Sequence, residues 1–167
     1  LVMLTKGGYI KKTELAAFTN IRANGLIAIS LEEGDQLRWV RRARVEDSII
    51  IGSRFGMAIH FRTSHEQLRP LGRATRGVKA MKLKEGDELI GMDIIASAVL
   101  AASHMEEADP AEAEVEETEI VETETEENGE IANATQGPWV LIVTMAGYGK
   151  RVPVSQFKLY NRATKGK

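Results

Sequence analysis

Thr5-Lys6-Gly7-Gly8-Tyr9-Ile10-Lys11-Lys12-Thr13 returns as Ser53-Arg54-Phe55-Gly56-Met57-Ala58-Ile59-His60-Phe61. It returns again as Thr144-Met145-Ala146-Gly147-Tyr148-Gly149-Lys150-Arg151-Val152. Each copy is a small hydroxyl residue, two residues, a glycine and a new extended run. Short apolar runs lead into the copies at Leu1–Leu4, Ser48–Gly52 and Val140–Thr144. An apolar run, a turn with glycine near its end and a second run is the pattern of a β-hairpin.

Two further markers recur in the same order. Arg73-Ala74-Thr75-Arg76-Gly77 matches Arg162-Ala163-Thr164-Lys165-Gly166, with Arg22-Ala23-Asn24-Gly25 as a shortened copy. Leu31-Glu32-Glu33-Gly34-Asp35-Gln36-Leu37 matches Leu83-Lys84-Glu85-Gly86-Asp87-Glu88-Leu89. Gly8 and Gly56 are 48 residues apart, and Gly25 and Gly77 are 52 apart. A repeat near fifty residues points to propeller blades or a solenoid. Each unit predicts about four strands: two in the hairpin, one before the Gly-Asp turn (Ile27 to Leu31, and around Met81 and Leu83) and one after it. Helical signal is confined to single turns at Glu14–Phe18 and Ser64–Leu68. The expected fold class is therefore all-β, with propeller-like blades. Residues 1–95 make two full blades, and 139–167 begin a third that stops inside its loop. Three blades do not close a ring, so further blades are expected on both sides.

Charge separates the chain in another way. Between Glu106 and Glu130 lie thirteen acidic residues and no basic one. The other eleven acids share the rest of the chain with all 22 Lys and Arg, which leaves that body at +11. Residues 96–138 read as an acidic insert, disordered because dense glutamates repel and too little apolar surface offsets ordering. A basic body points to a polyanionic partner. Tethered beside it, the insert could mimic that polyanion and compete for the basic surface.

Several classes fall away. The chain has no cysteine, hence no disulfide framework and no thiol nucleophile, which suits a reducing, cytoplasmic setting. No apolar stretch is long enough to span a bilayer, so no membrane partner is expected. No secretory leader is seen at Leu1, and the sequence looks cut from something longer. His60, His65 and His104 lack metal-ligand spacing and read as ordinary surface histidines. No phosphate-cradling Gly-x-x-x-x-Gly-Lys motif occurs. Glu33/Asp35 and Glu85/Asp87 flank turn glycines and read as turn-formers rather than acid–base pairs. Tyr9, Tyr148 and Tyr160 have no readable acid–base neighbour. No catalytic residue and no metal site are assigned.

The cations are placed more tellingly. Lys11-Lys12 and Lys150-Arg151 hold the same site just past the hairpin turn. Arg73, Arg76, Lys79, Arg162 and Lys165 hold the glycine-bearing loop, with Arg22 as its first-copy equivalent. Equivalent sites of successive repeats point in equivalent directions, so these ten residues are expected to form a basic rim for duplex DNA. Phosphate contacts give affinity without base reading. With only nine aromatic residues, of which Phe18, Trp39 and Phe157 read as core, a stacking platform for single strands is disfavoured. The alternative is a protein-interaction propeller that binds no nucleic acid.

Gly8-Tyr9-Ile10-Lys11-Lys12-Thr13, the run from Ile21 to Leu31 leading into Glu33-Gly34-Asp35, and Gly72-Arg73-Ala74-Thr75-Arg76-Gly77-Val78 resemble the C-terminal domain of the bacterial DNA gyrase A protein. Gly147 to Arg151, followed by Asn161 to Gly166, is similar to that domain's next blade. The resemblance implies a six-bladed β-pinwheel whose basic rim wraps duplex DNA. It implies a type II topoisomerase that introduces negative supercoils, with two A and two B subunits and with ATP and magnesium acting elsewhere. The family's Gln-Arg-Arg-Gly-Gly-Lys-Gly box is absent from this chain, as is the catalytic tyrosine. The corresponding chain of topoisomerase IV is the near relative.

Overall fold

The structure is a computed structural model that describes residues 1–102 and 138–166; the acidic run between Glu106 and Glu130, and His104, lie outside the described residues. Three antiparallel hairpins organise it. They are β1 (Val2–Thr5) with β2 (Tyr9–Lys12), β4 (Ser48–Ser53) with β5 (Ala58–Arg62), and β8 (Trp139–Val143) with β9 (Gly149–Pro153). β3 (Leu37–Arg41) pairs with β1, and β7 (Leu89–Ile95) pairs with β4.

The quoted hairpin sequence closes the same way each time. The N–H of Gly8, Gly56 and Gly147 donates to the carbonyl of Thr5, Ser53 and Thr144 at 3.2, 3.1 and 3.0 Å. The three glycines have φ of +89, +82 and +86°, which a side chain would resist. The hydroxyl has its own use. Thr5 Oγ1 accepts the N–H of Tyr9 at 3.1 Å, and Thr144 Oγ1 accepts that of Tyr148 at 3.2 Å.

The Gly-Asp marker folds back onto this turn. Asp35 Oδ1 accepts the N–H of Gly7 at 2.8 Å, and Asp87 Oδ1 accepts that of Phe55 at 3.1 Å. The N–H of Lys6 reaches Gln36 O, and that of Arg54 reaches Glu88 O, both at 2.8 Å. The aspartates are thus turn clamps.

The blades differ from expectation in where one strand comes from. Ile27 to Leu31 forms no ladder strand. In the first sheet, ordered β3-β1-β2-β6, that place goes to β6 (Val78–Lys79), which belongs to the second repeat. Tyr9 sits opposite Lys79 and Ile10 opposite Val78. Gly77 makes this possible: at φ +101° it packs so closely on Ile10 O that a Cβ would overlap the oxygen. Gly166 repeats the arrangement on Ala58 O, where a Cβ would stand at 2.6 Å. Gly166 thus packs on the second hairpin as Gly77 does on the first. Among the described residues the second sheet has three strands, ordered β5-β4-β7, and the third has two.

Strand alternation then sets the cores. Val2, Leu4 and Ile10 of the first sheet pack with Ile49, Ile51, Ile59 and Phe61 of the second, together with Leu68, Met81, Leu89 and Met92. Ile50 and Ile95 point the other way, onto Val154, Val140 and Phe157. β4 is buried on both faces, which is why Ile49-Ile50-Ile51 reads as an unbroken apolar run. Trp39 and Phe157 pack on these cores as expected, while Phe18 is half-buried outside them. A 3-10 turn at Leu15–Phe18 and a turn closed by Leu68 N–H on Ser64 O fall where single helical turns were read. A short helix α1 (Ser97–Ala102) stands where the insert was placed.

Candidate nucleic-acid interface

Two of the ten sequence-assigned cations face inward. Lys11 is fully buried. Its Nζ donates to Ala28 O at 2.6 Å, Thr75 O at 3.1 Å and Gly72 O at 3.2 Å, and also to Arg73 O. Burial pushes its ammonium below the usual lysine range. Lys12 is also buried and donates to Thr63 O, with the same downward shift from burial, opposed by Glu14. Both side chains are enclosed by loops from elsewhere in the chain, so neither reaches solvent. Lys150 and Arg151, at the same sites of the third hairpin, are exposed. Sequence equivalence missed this difference because the enclosing loops, not the hairpin, decide it.

A third cation is structural as well. Arg162 is half-buried: its Nε donates to Gln67 O at 2.5 Å, its NH1 to Lys79 O at 3.3 Å, and its backbone N–H to Gln67 Oε1 at 3.1 Å.

Of the other seven, Arg73, Arg76 and Lys79 lie on β6 and the loop before it, Arg22 shares a depression with Arg73, Lys165 lies in the equivalent loop one repeat on, and Lys150 and Arg151 lie on β9. The Arg76 guanidinium lies 4.4 Å from the centre of the Tyr9 ring, and Lys79 Nζ lies 5.5 Å from it. The Tyr9 ring thus groups one cation from the exchanged strand with another from the loop just before it. Arg76 is also bonded to Glu32. Arg22 and Arg73 line one open depression with Gly25, Gly72 and Thr75. Lys165, at Arg76's place one repeat on, is exposed. Arg151 stacks on Trp139 at 4.5 Å.

Sequence reasoning missed the role of Tyr9, which it weighed only as a nucleophile. It also missed Arg38, Arg41, Arg42 and Arg44, exposed on and after β3; the run Arg38-Trp39-Val40-Arg41-Arg42-Ala43-Arg44 was the signal for them. β3 is the edge opposite β6, and Arg41 Nε reaches Asp93 Oδ1 on β7 at 3.7 Å. Elsewhere Glu88 takes up Lys6 at 2.7 Å, a bond that holds its carboxyl below the usual range.

His60 corrects the view of it as a surface histidine. It is buried, with Nε2 2.6 Å from Ser48 Oγ and Nδ1 2.8 Å from Phe157 O. A carbonyl only accepts, so Nδ1 carries the proton and Nε2 accepts from Ser48. It stands at Lys12's site and ties the second hairpin to the third unit. His65 is exposed. Among the described residues no group of three or more His, Asp or Glu could hold a metal, and no helix is long and apolar enough to cross a membrane.

Repeated hairpins, a strand passed between neighbouring units and cations collected on the receiving edge define a propeller-type, all-β repeat module. The chain belongs to the DNA gyrase C-terminal domain family, a beta-propeller family that matches residues 1–44, 47–96 and 138–167. It is 57% identical over 99% of its length to the DNA gyrase A protein of Synechocystis sp., and 42% identical over 95% to the chloroplastic/mitochondrial DNA gyrase A protein of Nicotiana benthamiana. It spans 18% and 15% of those two relatives. Among solved structures, the DNA gyrase A C-terminal domain superposes with a TM-score of 0.66 at 25% identity, over 99% of this chain and 41% of the other. The C-terminal domain of DNA topoisomerase IV superposes at 0.71 and 22% identity, over 99% and 39%, a likeness of fold.

Proposed function

We propose that this segment binds and wraps duplex DNA as part of an ATP-dependent type II topoisomerase of the gyrase kind. The observation that carries this reading is the cationic β6 edge, where Arg76 and Lys79 are held together on Tyr9, with Arg22 and Arg73 beside them and Lys165 at the equivalent place one repeat on. Spacing fixed by the blades lets a stiff anionic rod lie across successive cations, and phosphate contacts offset the cost of bending it, on the order of 1–6 kcal/mol for a few tens of base pairs. The proposed phosphate-contacting set is Arg22, Arg73, Arg76, Lys79, Lys150, Arg151 and Lys165. Lys11, Lys12 and Arg162 serve instead to hold the loops.

The partners in this reading are duplex DNA, two gyrase B subunits that supply ATP hydrolysis, and a second copy of the gyrase A protein. Its compartment is the cytoplasm, although plant relatives carry chloroplastic/mitochondrial names. Titrating labelled duplex against the full chain at rising salt tests it. Affinity should fall by orders of magnitude between about 50 and 200 mM salt; a flat response would overturn it.

A further inference from the structure

Lys11 and Ile59 hold the same place in successive hairpins, yet the loops that cover them are built differently. Over Lys11, the carbonyls of Gly72, Arg73 and Thr75 turn inward onto Nζ, with Ala28 O as the fourth acceptor. Over Ile59 lies the equivalent loop, Asn161 to Thr164. There Ala163 adopts φ +64° and gives its own N–H to Ala80 O at 2.7 Å. Ala80 stands where Ala28 does. One carbonyl is therefore satisfied by an ammonium in the first unit and by a backbone amide in the second. Ala74, at Ala163's place, has no positive φ.

A trans peptide is planar, so a carbonyl turned inward sends the next residue's N–H outward. The amides of Arg73, Ala74 and Arg76 consequently point away from Lys11. None of the three donates a backbone hydrogen bond among the described residues. Outward amides beside arginines are suited to phosphate oxygens. No carboxylate pairs with Lys11 among the described residues, so its charge lies under the loop without neutralisation there.

We propose that Lys11 is a positioning residue: its buried ammonium holds the 72–76 loop in a conformer that offers outward amides and Arg73 to phosphate, whereas Ile59 leaves the next loop with an amide turned in. The proposal rests on the DNA-binding reading above and assigns the two loops unequal parts in it.

The test uses the full chain as wild type, Lys11→Met, Arg73→Ala and the double variant, titrated with labelled duplex at several salt concentrations. Lys11→Met should lower the slope of log affinity against log salt by about 0.9 or more, one phosphate contact or several, although Lys11 reaches no phosphate. Adding Arg73→Ala to it should cost nothing further. A structure of Lys11→Met should show Ala74 at positive φ with its N–H on Ala28 O. Additive effects, or a loop unchanged in that structure, overturn the positioning role. A flat salt response in the wild type overturns the DNA reading instead. Should Lys11→Met not fold, nitrogen-15 spectroscopy of the wild type decides: the Lys11 ammonium should exchange slowly and shift when duplex is added, and no shift overturns the proposal.

Discussion

Asp35 holds the hairpin turn of its own repeat by accepting the N–H of Gly7 at 2.8 Å. The second Asp35 bond, from Gln36 N–H at 2.8 Å, orders the Gly-Asp turn itself. One carboxylate thus joins two turns 28 residues apart in sequence. Asp35→Ala should destabilise the fold by about 1–2 kcal/mol, a charge-assisted bond lost at a half-buried site. Urea unfolding measures this. The salt dependence of DNA binding should stay unchanged; a changed slope would mean that Asp35 acts at the interface.

Gly77 and Gly56 separate two reasons for a glycine. Both have positive φ, but a Cβ at Gly56 meets nothing within 4 Å while one at Gly77 would overlap Ile10 O. Gly56→Ala should cost about 1–2 kcal/mol of backbone strain. Gly77→Ala should cost clearly more, about 3 kcal/mol or above, because β6 must also move off β2. Equal losses in urea unfolding would show that the strand exchange yields to a methyl group.

Arg76 is bonded to Glu32, and in the proposed DNA reading the same guanidinium must serve phosphate. Glu32→Gln should raise duplex affinity about two- to fivefold, the worth of an exposed ion pair released. Arg76→Ala should lower it and reduce the salt slope by about 0.9. Fluorescence anisotropy at fixed salt reads both affinities, and a salt series reads the slope. A Glu32→Gln variant that binds no better would remove Arg76 from the interface.

His60 makes stability depend on pH. Burial holds its pKa below the ordinary 6.5, the bond to Phe157 O opposes the shift, and Arg62 adds to it. The unfolded chain therefore binds more protons than the folded one once pH falls below about 6.5. The stability is fully present above that value and is lost as pH drops towards the folded pKa, by at most about 1.4 kcal/mol per pH unit. His60→Asn, which keeps a donor for Phe157 O, should flatten the urea midpoint between about pH 7.5 and 5.5 relative to wild type. An unchanged slope would assign the dependence to other groups.

Much of this architecture was written in local signals. The glycine of each hairpin, and the hydroxyl of the first and third, are chosen by one turn's hydrogen bonds, so three copies announced three hairpins, and Gly34-Asp35 announced the turn that Asp35 makes. The fourth strand was not legible. Val78-Lys79 is two residues long, and periodicity cannot say which repeat's hairpin a strand will join. The site was legible in part for a related reason. Arg76 and Lys165 are equivalent in sequence and both exposed, whereas Lys11 and Lys150 are equivalent and opposite in burial. What encloses Lys11 lies at Ala28 and at residues 72–75, too distant in sequence for any local pattern to show.

Because Val78 and Lys79 complete a sheet begun by another repeat, the unit of inheritance and the unit of folding are offset from each other. Excising the second repeat would remove not one blade but the outer wall of its predecessor, stripping Tyr9 of both its cations and Lys11 of three of its four acceptors.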